Sequence, residues 1–238
     1  MKSFGITDIG KARQYNQDYS LECDEPIGNL ENLYVVCDGL GGRNAGEYAS
    51  EIAAENFFDI AQTSEEQMAL AVFKEATLAI NALVFEESKR PEYLGMATTL
   101  VACTVVGDSA YFVNVGDSRG YIFGKEVTQV TCDHSYVSEL VRRGQITKDE
   151  ARTHSRNNII TRAIGAEETV EPDYYMASLE DDEIILLCSD GLYNMVSDDD
   201  LAEVICGPGS LEEKAKRLVD MANEAGGKDN IAVVLISK

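Results

Sequence analysis

The 238-residue sequence predicts an α+β domain built from antiparallel strands with helices packed against them. Three observations lead there. From Thr98 to Val130 the apolar period shortens towards two, and the segments are joined by Gly-Asp, Gly-Asp-Ser-Arg and Gly-Lys turns. Such consecutive hairpins read as an antiparallel meander, unlike alternating β-α-β units. Stripes of apolar residues at helical spacing flank that region on both sides. An apolar run followed by Asp-Gly-Leu occurs twice, at Leu33–Leu40 and Ile184–Leu192. A chain of this length suits one domain, 1–238, that buries ~70% of its unfolded surface.

Residues 4–23 open with an apolar start, Phe4-Gly5-Ile6-Thr7, followed by the polar stretch Arg13-Gln14-Tyr15-Asn16-Gln17-Asp18 and then Tyr19-Ser20-Leu21. Arg13 has the fork to grip a phosphate, and Asp18 is an oxygen ligand for a metal; a surface loop is the default reading of both. The run Leu33-Tyr34-Val35-Val36-Cys37 reads as a buried strand that stops at Asp38, with Gly39, Gly41 and Gly42 following within four residues. A carboxylate at a strand end beside bare backbone suits a hard cation, although Asp-Gly after a strand is ordinarily a turn. Asn44 with Glu47 resembles a capping box opening a helix whose apolar face is Ala49, Ile52, Ala53, Phe57 and Ile60. Ser64 with Gln67 opens a second, with Met68, Val72, Ala76, Ala79, Ile80 and Leu83 inside.

Thr98–Val106, Ser109–Val115, Gly120–Phe123 and Glu126–Val130 are the meander strands, and Asp117 and Arg119 lie on one of its turns. Ser135–Arg143 and Thr147–Arg152 read as short helices, the second with a Thr147/Glu150 capping box. Six bases against two acids between Arg142 and Arg162 form a basic island that either balances nearby carboxylates or attracts an anionic substrate. Eight acids and no bases then run from Glu167 to Glu183 around a strand at Tyr174–Ala177. A strand from Ile184 to Cys188 leads into Ser189-Asp190-Gly191. Helices follow at Ser197–Ile205 and Ser210–Ala225, each with Ser at the N-cap and an acid three residues on, and Lys228-Asp229-Asn230 enters a last strand, Ile231–Ile236.

Composition narrows the chemistry. Lys plus Arg number 20 against 42 Asp plus Glu, a formal charge of −22. Such a chain repels nucleic acid and anionic membrane. No apolar run approaches the ~20 residues of a membrane span. Six scattered cysteines without a C-x-x-C pair read as reduced residues of a cytosolic protein. With only His134 and His154, any metal is expected to be Mg, Mn or Ca rather than zinc. Several carboxylates brought together repel one another and raise one another's pKa, and divalent cations relieve that repulsion. Two cations roughly 3.5–4 Å apart clamp a phosphoryl group for in-line attack.

The ordered set Arg13…Asn16-Gln17-Asp18, Asp38-Gly39-Leu40-Gly41-Gly42, Ala97-Thr98-Thr99-Leu100, Asn114-Val115-Gly116-Asp117-Ser118-Arg119, Asp133-His134-Ser135, Thr161-Arg162-Ala163-Ile164-Gly165, Ser189-Asp190-Gly191 and Asp229-Asn230 resembles the metal-dependent (PPM, type 2C) serine/threonine phosphatases, their short bacterial members above all. The resemblance implies a four-layer α-β-β-α sandwich of two antiparallel sheets flanked by helices, with a flap subdomain at about 140–165. It implies that Asp38 bridges two Mn or Mg ions, that the Gly39 carbonyl holds one of them, and that Asp190 and Asp229 complete the first site. Asp117, with Asp190, would hold a third ion. Arg13 matches the family's phosphate-binding Arg, and Asp18 an acid contacting metal-bound water. The implied reaction is hydrolysis of phosphoserine and phosphothreonine by a metal-bridging water or hydroxide. The expected partners are phosphoproteins made by a serine/threonine kinase, with no nucleic acid or membrane, and the chain is expected to act as a cytoplasmic monomer.

Leu40 stands where many eukaryotic members carry a His, and Gln17 where Glu is common. Two other readings compete. Cys37 and Arg43 are separated by five residues, the spacing of cysteine-dependent phosphatases, but Val36 replaces the usual His and Asp38 adds charge to that loop. A regulatory module with degenerate metal sites is opposed by the intact Asp38, Asp117, Asp190 and Asp229.

Overall fold

The computed structural model describes residues 1–42, 45–147, 150–151 and 154–238. In chain order the strands are β1 (Lys2–Asp8), β2 (Asp18–Cys23), β3 (Leu33–Leu40), β4 (Ala97–Thr98), β5 (Leu100–Val106), β6 (Ser109–Val115), β7 (Arg119–Phe123), β8 (Val127–Gln129), β9 (Asp173–Ser178), β10 (Ile184–Cys188) and β11 (Ile231–Ser237). The helices are α1 (Ala45–Thr63), α2 (Ala69–Glu87), α3 (Tyr136–Arg142), α4 (Asp190–Tyr193), α5 (Asp198–Cys206) and α6 (Leu211–Glu224). One sheet has the order β1-β11-β10-β7-β8, the other β2-β3-β5-β6-β9 with β4 against β3, and all these pairings are antiparallel.

The layers follow from the two-residue period of a strand. In β3, Leu33, Val35 and Cys37 face α1 and α2, where Phe57 and Phe73 pack ring to ring at 5.7 Å. Tyr34 and Val36, one residue out of phase, face the opposite sheet. In β11, Ile231, Val233 and Leu235 lie under α4, α5 and α6, while Ala232, Val234 and Ile236 meet Tyr34 and Val36 between the sheets. The result is the four-layer α-β-β-α sandwich. Fully burying each large apolar side chain contributes about 1.5–3 kcal/mol, so these three cores dominate stability.

Several boundaries differ from the sequence reading. The meander is not one sheet: β5–β6 form a hairpin in one sheet, whereas β7–β8 form a hairpin in the other. The Gly116–Ser118 link carries the chain between sheets, because β7 pairs with β10 rather than β6. Residues 97–106 break at Thr99 into β4 and β5. The apolar start and Tyr19-Ser20-Leu21 are full strands, β1 and β2. Helix α2 begins at Ala69 and not at Ser64, whose hydroxyl is drawn to Glu75 instead of capping. Ser135, Ser197 and Ser210 do cap their helices, and Ser210 with Glu213 closes a full capping box. Thr147 and Glu150 exchange capping bonds. Asn44 and half of the expected 147–152 helix, residues 148, 149 and 152, lie outside the described residues.

Candidate active site

The site begins where β2 and β3 run side by side. Asp18 stands opposite Asp38 in register, and the Gly39 N–H donates to the Gln17 carbonyl at 2.9 Å. Asp38 is fixed through its backbone: its N–H donates to Thr99 Oγ1, and its carbonyl accepts from Thr98 Oγ1 and the Thr99 N–H, each at 2.9 Å. Those bonds hold the Asp38 backbone and use neither of its carboxylate oxygens. Gly39 is obligatory here because a Cβ would sit 2.0 Å from the Gly46 carbonyl oxygen and 2.8 Å from that of Gln17. The missing side chain lets the start of α1 close onto the strand end.

The second sheet supplies the facing wall. Ser189 follows β10 directly and is fully buried; its hydroxyl accepts from the Ala232 N–H at 2.8 Å and donates to Asp18 Oδ2 at 2.5 Å. It joins the two sheets at the site. Asp190 follows at the start of α4, where its Oδ2 accepts from Asn194. Asp229 precedes β11, and its Oδ2 accepts from Arg13 Nη2 at 2.6 Å. Asn230 anchors the Arg13 loop: its amide donates to the carbonyls of Ile9 and Tyr15, and its Oδ1 accepts from the Gln17 N–H.

Asp117 rides on the link between sheets. Gly116 takes φ +107°, a conformation that L side chains rarely adopt, and a Cβ would meet Thr99 Cγ2 at 2.6 Å. His134 clamps this turn: its N–H donates to the Gly116 carbonyl and its Nδ1 accepts from the Gly116 N–H. Nε2 therefore carries the proton and donates to Asp173 at 3.0 Å. Burial holds this imidazole below its ordinary pKa.

The charges converge. Burial pushes the Asp38 carboxyl well up, followed by the negative charges of Asp18, Asp190, Asp117 and Asp229. Burial likewise lifts Asp18 to about 7 against the Ser189 hydrogen bond, and Asp117 to about 6 with Asp133 adding to the rise. Burial and the charges of Asp117 and Asp229 raise Asp190. Asp18 Oδ1 and Asp190 Oδ1 are buried without a hydrogen-bond partner. Acidic oxygens left unpaired beside like charges fit a hard cation, which supplies the missing positive charge. Among the described residues no three His, Cys, Asp or Glu side chains close into a ready-made metal cage. The fit to cations therefore rests on the oxygen donors and their mutual repulsion.

Residues 15–231 match the family model described as protein phosphatase 2C. The chain belongs to the protein phosphatase 2C family. It is 36% identical over 239 residues to protein phosphatase PhpP of Streptococcus pneumoniae, covering 98% of this chain and 95% of that one. The crystal structure of the serine/threonine phosphatase Stp1 from Staphylococcus aureus superposes with a TM-score of 0.92 at 32% identity, covering 100% of this chain and 94% of that one. The catalytic domain of the phosphatase PstP, solved in complex with two manganese ions, gives a TM-score of 0.85 at 33% identity over 98% of this chain and 96% of that one.

In this phosphatase 2C domain the cysteine-dependent reading fails. Cys37 is fully buried in the core under α1 and α2, and burial pushes its thiol up, so no thiolate faces solvent; Arg43 lies outside the described residues. The Gln17 side-chain amide donates to the Gly41 carbonyl and closes the glycine loop. The basic island divides. Arg143 pairs with Glu139 at 3.3 Å and Arg162 with Asp173 at 3.1 Å, whereas Arg142, Arg143 and Glu139 line a cavity of about 350 Å³. Ile164 bridges Thr98, tying the end of this segment to the strand beside Asp38. Ser189, Asn230 and Thr99 belong to the motifs read from sequence, but their bonding roles come only with the fold.

Proposed function

We propose that this chain hydrolyses phosphoserine and phosphothreonine in phosphoproteins, with Mn or Mg held by Asp38, the Gly39 carbonyl, Asp190 and Asp229, and a third ion by Asp117 with Asp190. The observation that carries the reading is the convergence of repelling carboxylates from both sheets beside Arg13. When bound, such cations supply Lewis-acid charge and lower the pKa of the attacking water. Arg13 is half exposed and points its guanidinium at the carboxylates, so its fork can turn to two phosphate oxygens. Asp18 Oδ1, buried and without a partner, is the atom assigned to accept a proton, with Ser189 fixing the other oxygen. Leu40 offers no proton to the leaving group.

The single domain, 1–238, carries a flap at about 140–165 that meets the protein part of the substrate. The substrates are products of a serine/threonine kinase, and the enzyme works as a monomer in the cytoplasm. Among the described residues no helix is long and apolar enough to cross a membrane. Phosphopeptide hydrolysis measured with added Mn, without it and in excess chelator tests the reading: activity should require the cation, and full activity in chelator would remove it. Asp38→Asn should abolish turnover and core Mn binding by calorimetry, whereas Asp117→Asn should weaken only the third ion. Equal loss of core binding in both would refute that division.

A further inference from the structure

Arg119 is the first residue of β7 and stands opposite Cys188 in register, one position before Ser189 and Asp190. Its guanidinium is held at all three nitrogens and on one face. Nε and Nη2 form a two-point pair with the Asp133 carboxylate, at 3.0 and 2.7 Å, and Nη1 donates to the Tyr121 hydroxyl at 2.8 Å. The flat face lies 3.4 Å from the centroid of the Tyr193 ring. Tyr193 is the last residue of the short helix that begins at Asp190, and its buried hydroxyl donates to the Asp117 carbonyl at 3.0 Å. Asp133 Oδ1 also accepts from the Gln129 amide, and Asp133 is followed by His134, which clamps Gly116.

We infer that Arg119 is a positioning residue which, through Tyr193 and Asp133, locks the Asp117 turn to the Asp190 helix so that both carboxylates face one place. The inference rests on the cation reading above. A guanidinium meets these demands where an ammonium cannot: it pairs in two points in its plane and stacks on an aromatic ring with its face. Lys at this position keeps the charge and loses the geometry. Tyr193→Phe keeps the ring under Arg119 and removes only the bond to Asp117.

Calorimetric Mn titration of the full chain separates positioning from plain stability, with Ile205→Val as a control that loosens the same helix-covered core away from the site. Arg119→Lys and Tyr193→Phe should weaken the lowest-affinity Mn step about tenfold and shrink the Mn-induced rise in Tm, while leaving the tighter steps in place. Ile205→Val should lower Tm without changing any Mn affinity. Wild-type Mn binding by Arg119→Lys and Tyr193→Phe overturns the inference, as does an equal loss of binding in Ile205→Val. If Arg119→Lys fails to fold, Tyr193→Phe carries the comparison. Absence of Mn binding by the wild-type protein removes the cation reading itself, a different result from binding that survives both substitutions.

Discussion

Asp18→Asn should make the cation-free protein more stable, not less. Asp18 is 5% exposed and its carboxyl is pushed from 3.8 to about 7, chiefly by burial. At 1.36 kcal/mol per tenfold, its ionised form costs the fold roughly 4 kcal/mol at pH 8. Because the folded pKa lies above the unfolded one, the penalty is absent below pH 3.8 and grows as pH rises through about 7. At pH 5 it is less than half as large by the same linkage. An amide keeps the shape and the Ser189 bond without the charge. For a chain of this size roughly 4 kcal/mol corresponds to a Tm rise of about 8–16 °C, an upper bound because the neighbouring acids redistribute protons. Thermal melts in excess chelator at pH 5 and pH 8 measure it, and adding Mn should shrink the gap by neutralising the wild-type carboxylate. A variant no more stable than wild type at pH 8, or a gap that does not narrow at pH 5, would refute the argument.

Arg13→Ala removes a charge-assisted contact worth about 1.5–3 kcal/mol, so kcat/KM on a phosphopeptide should fall roughly ten- to a hundredfold; unchanged kinetics would remove Arg13 from phosphate binding. Gly39→Ala drives a methyl into two backbone carbonyls, Gly46 and Gln17, and should cost several kcal/mol in chemical denaturation, on the order of 3 or more. Cys37→Ala should keep phosphatase activity at a cost in stability of about 1 kcal/mol, and native protein should resist alkylation at Cys37 because the thiol is buried; loss of turnover with normal Mn binding would restore a role for sulfur.

Two of the acids, Asp38 and Asp190, were legible because each interrupts a pattern. Asp38 and Asp190 end runs of strand-like residues, and a charge at the end of a buried run demands an explanation that a charge in a polar loop does not. Which acids meet was less legible, since it depends on pairings between distant segments: Ser189 reaches Asp18 across 171 residues. The four residues Gly116-Asp117-Ser118-Arg119 look like a hairpin turn, and turn chemistry alone does not say whether a chain folds back or steps to an opposite sheet. The partner of β7 decides that, and it lies in β10. The part Gln17 plays was not legible for a related reason: its neighbours in sequence are site residues, but its amide donates to the Gly41 carbonyl of the glycine loop. Side-chain caps were read well where both partners lie within one helical turn, as at Ser210 and Glu213. They failed at Ser64, where an acid from the following helix competes for the hydroxyl.

Among the described residues the first strand, β1, pairs with the last, β11, alone, Lys2 opposite Ser237 and Asp8 opposite Ile231. Segments from the two extremes must therefore find one another before the β1-β11-β10-β7-β8 sheet is complete, and non-local pairing of this kind slows folding. Asp229 lies at the head of that last strand, and Asp18 is reached only across the seam between sheets. A partly folded chain with only the β2–β3 sheet formed sets Asp18 against Asp38 but lacks the added charges of Asp190 and Asp229. The full electrostatic strain that invites cations is thus a late product of folding, and most of the Mn uptake during refolding should follow the final docking step.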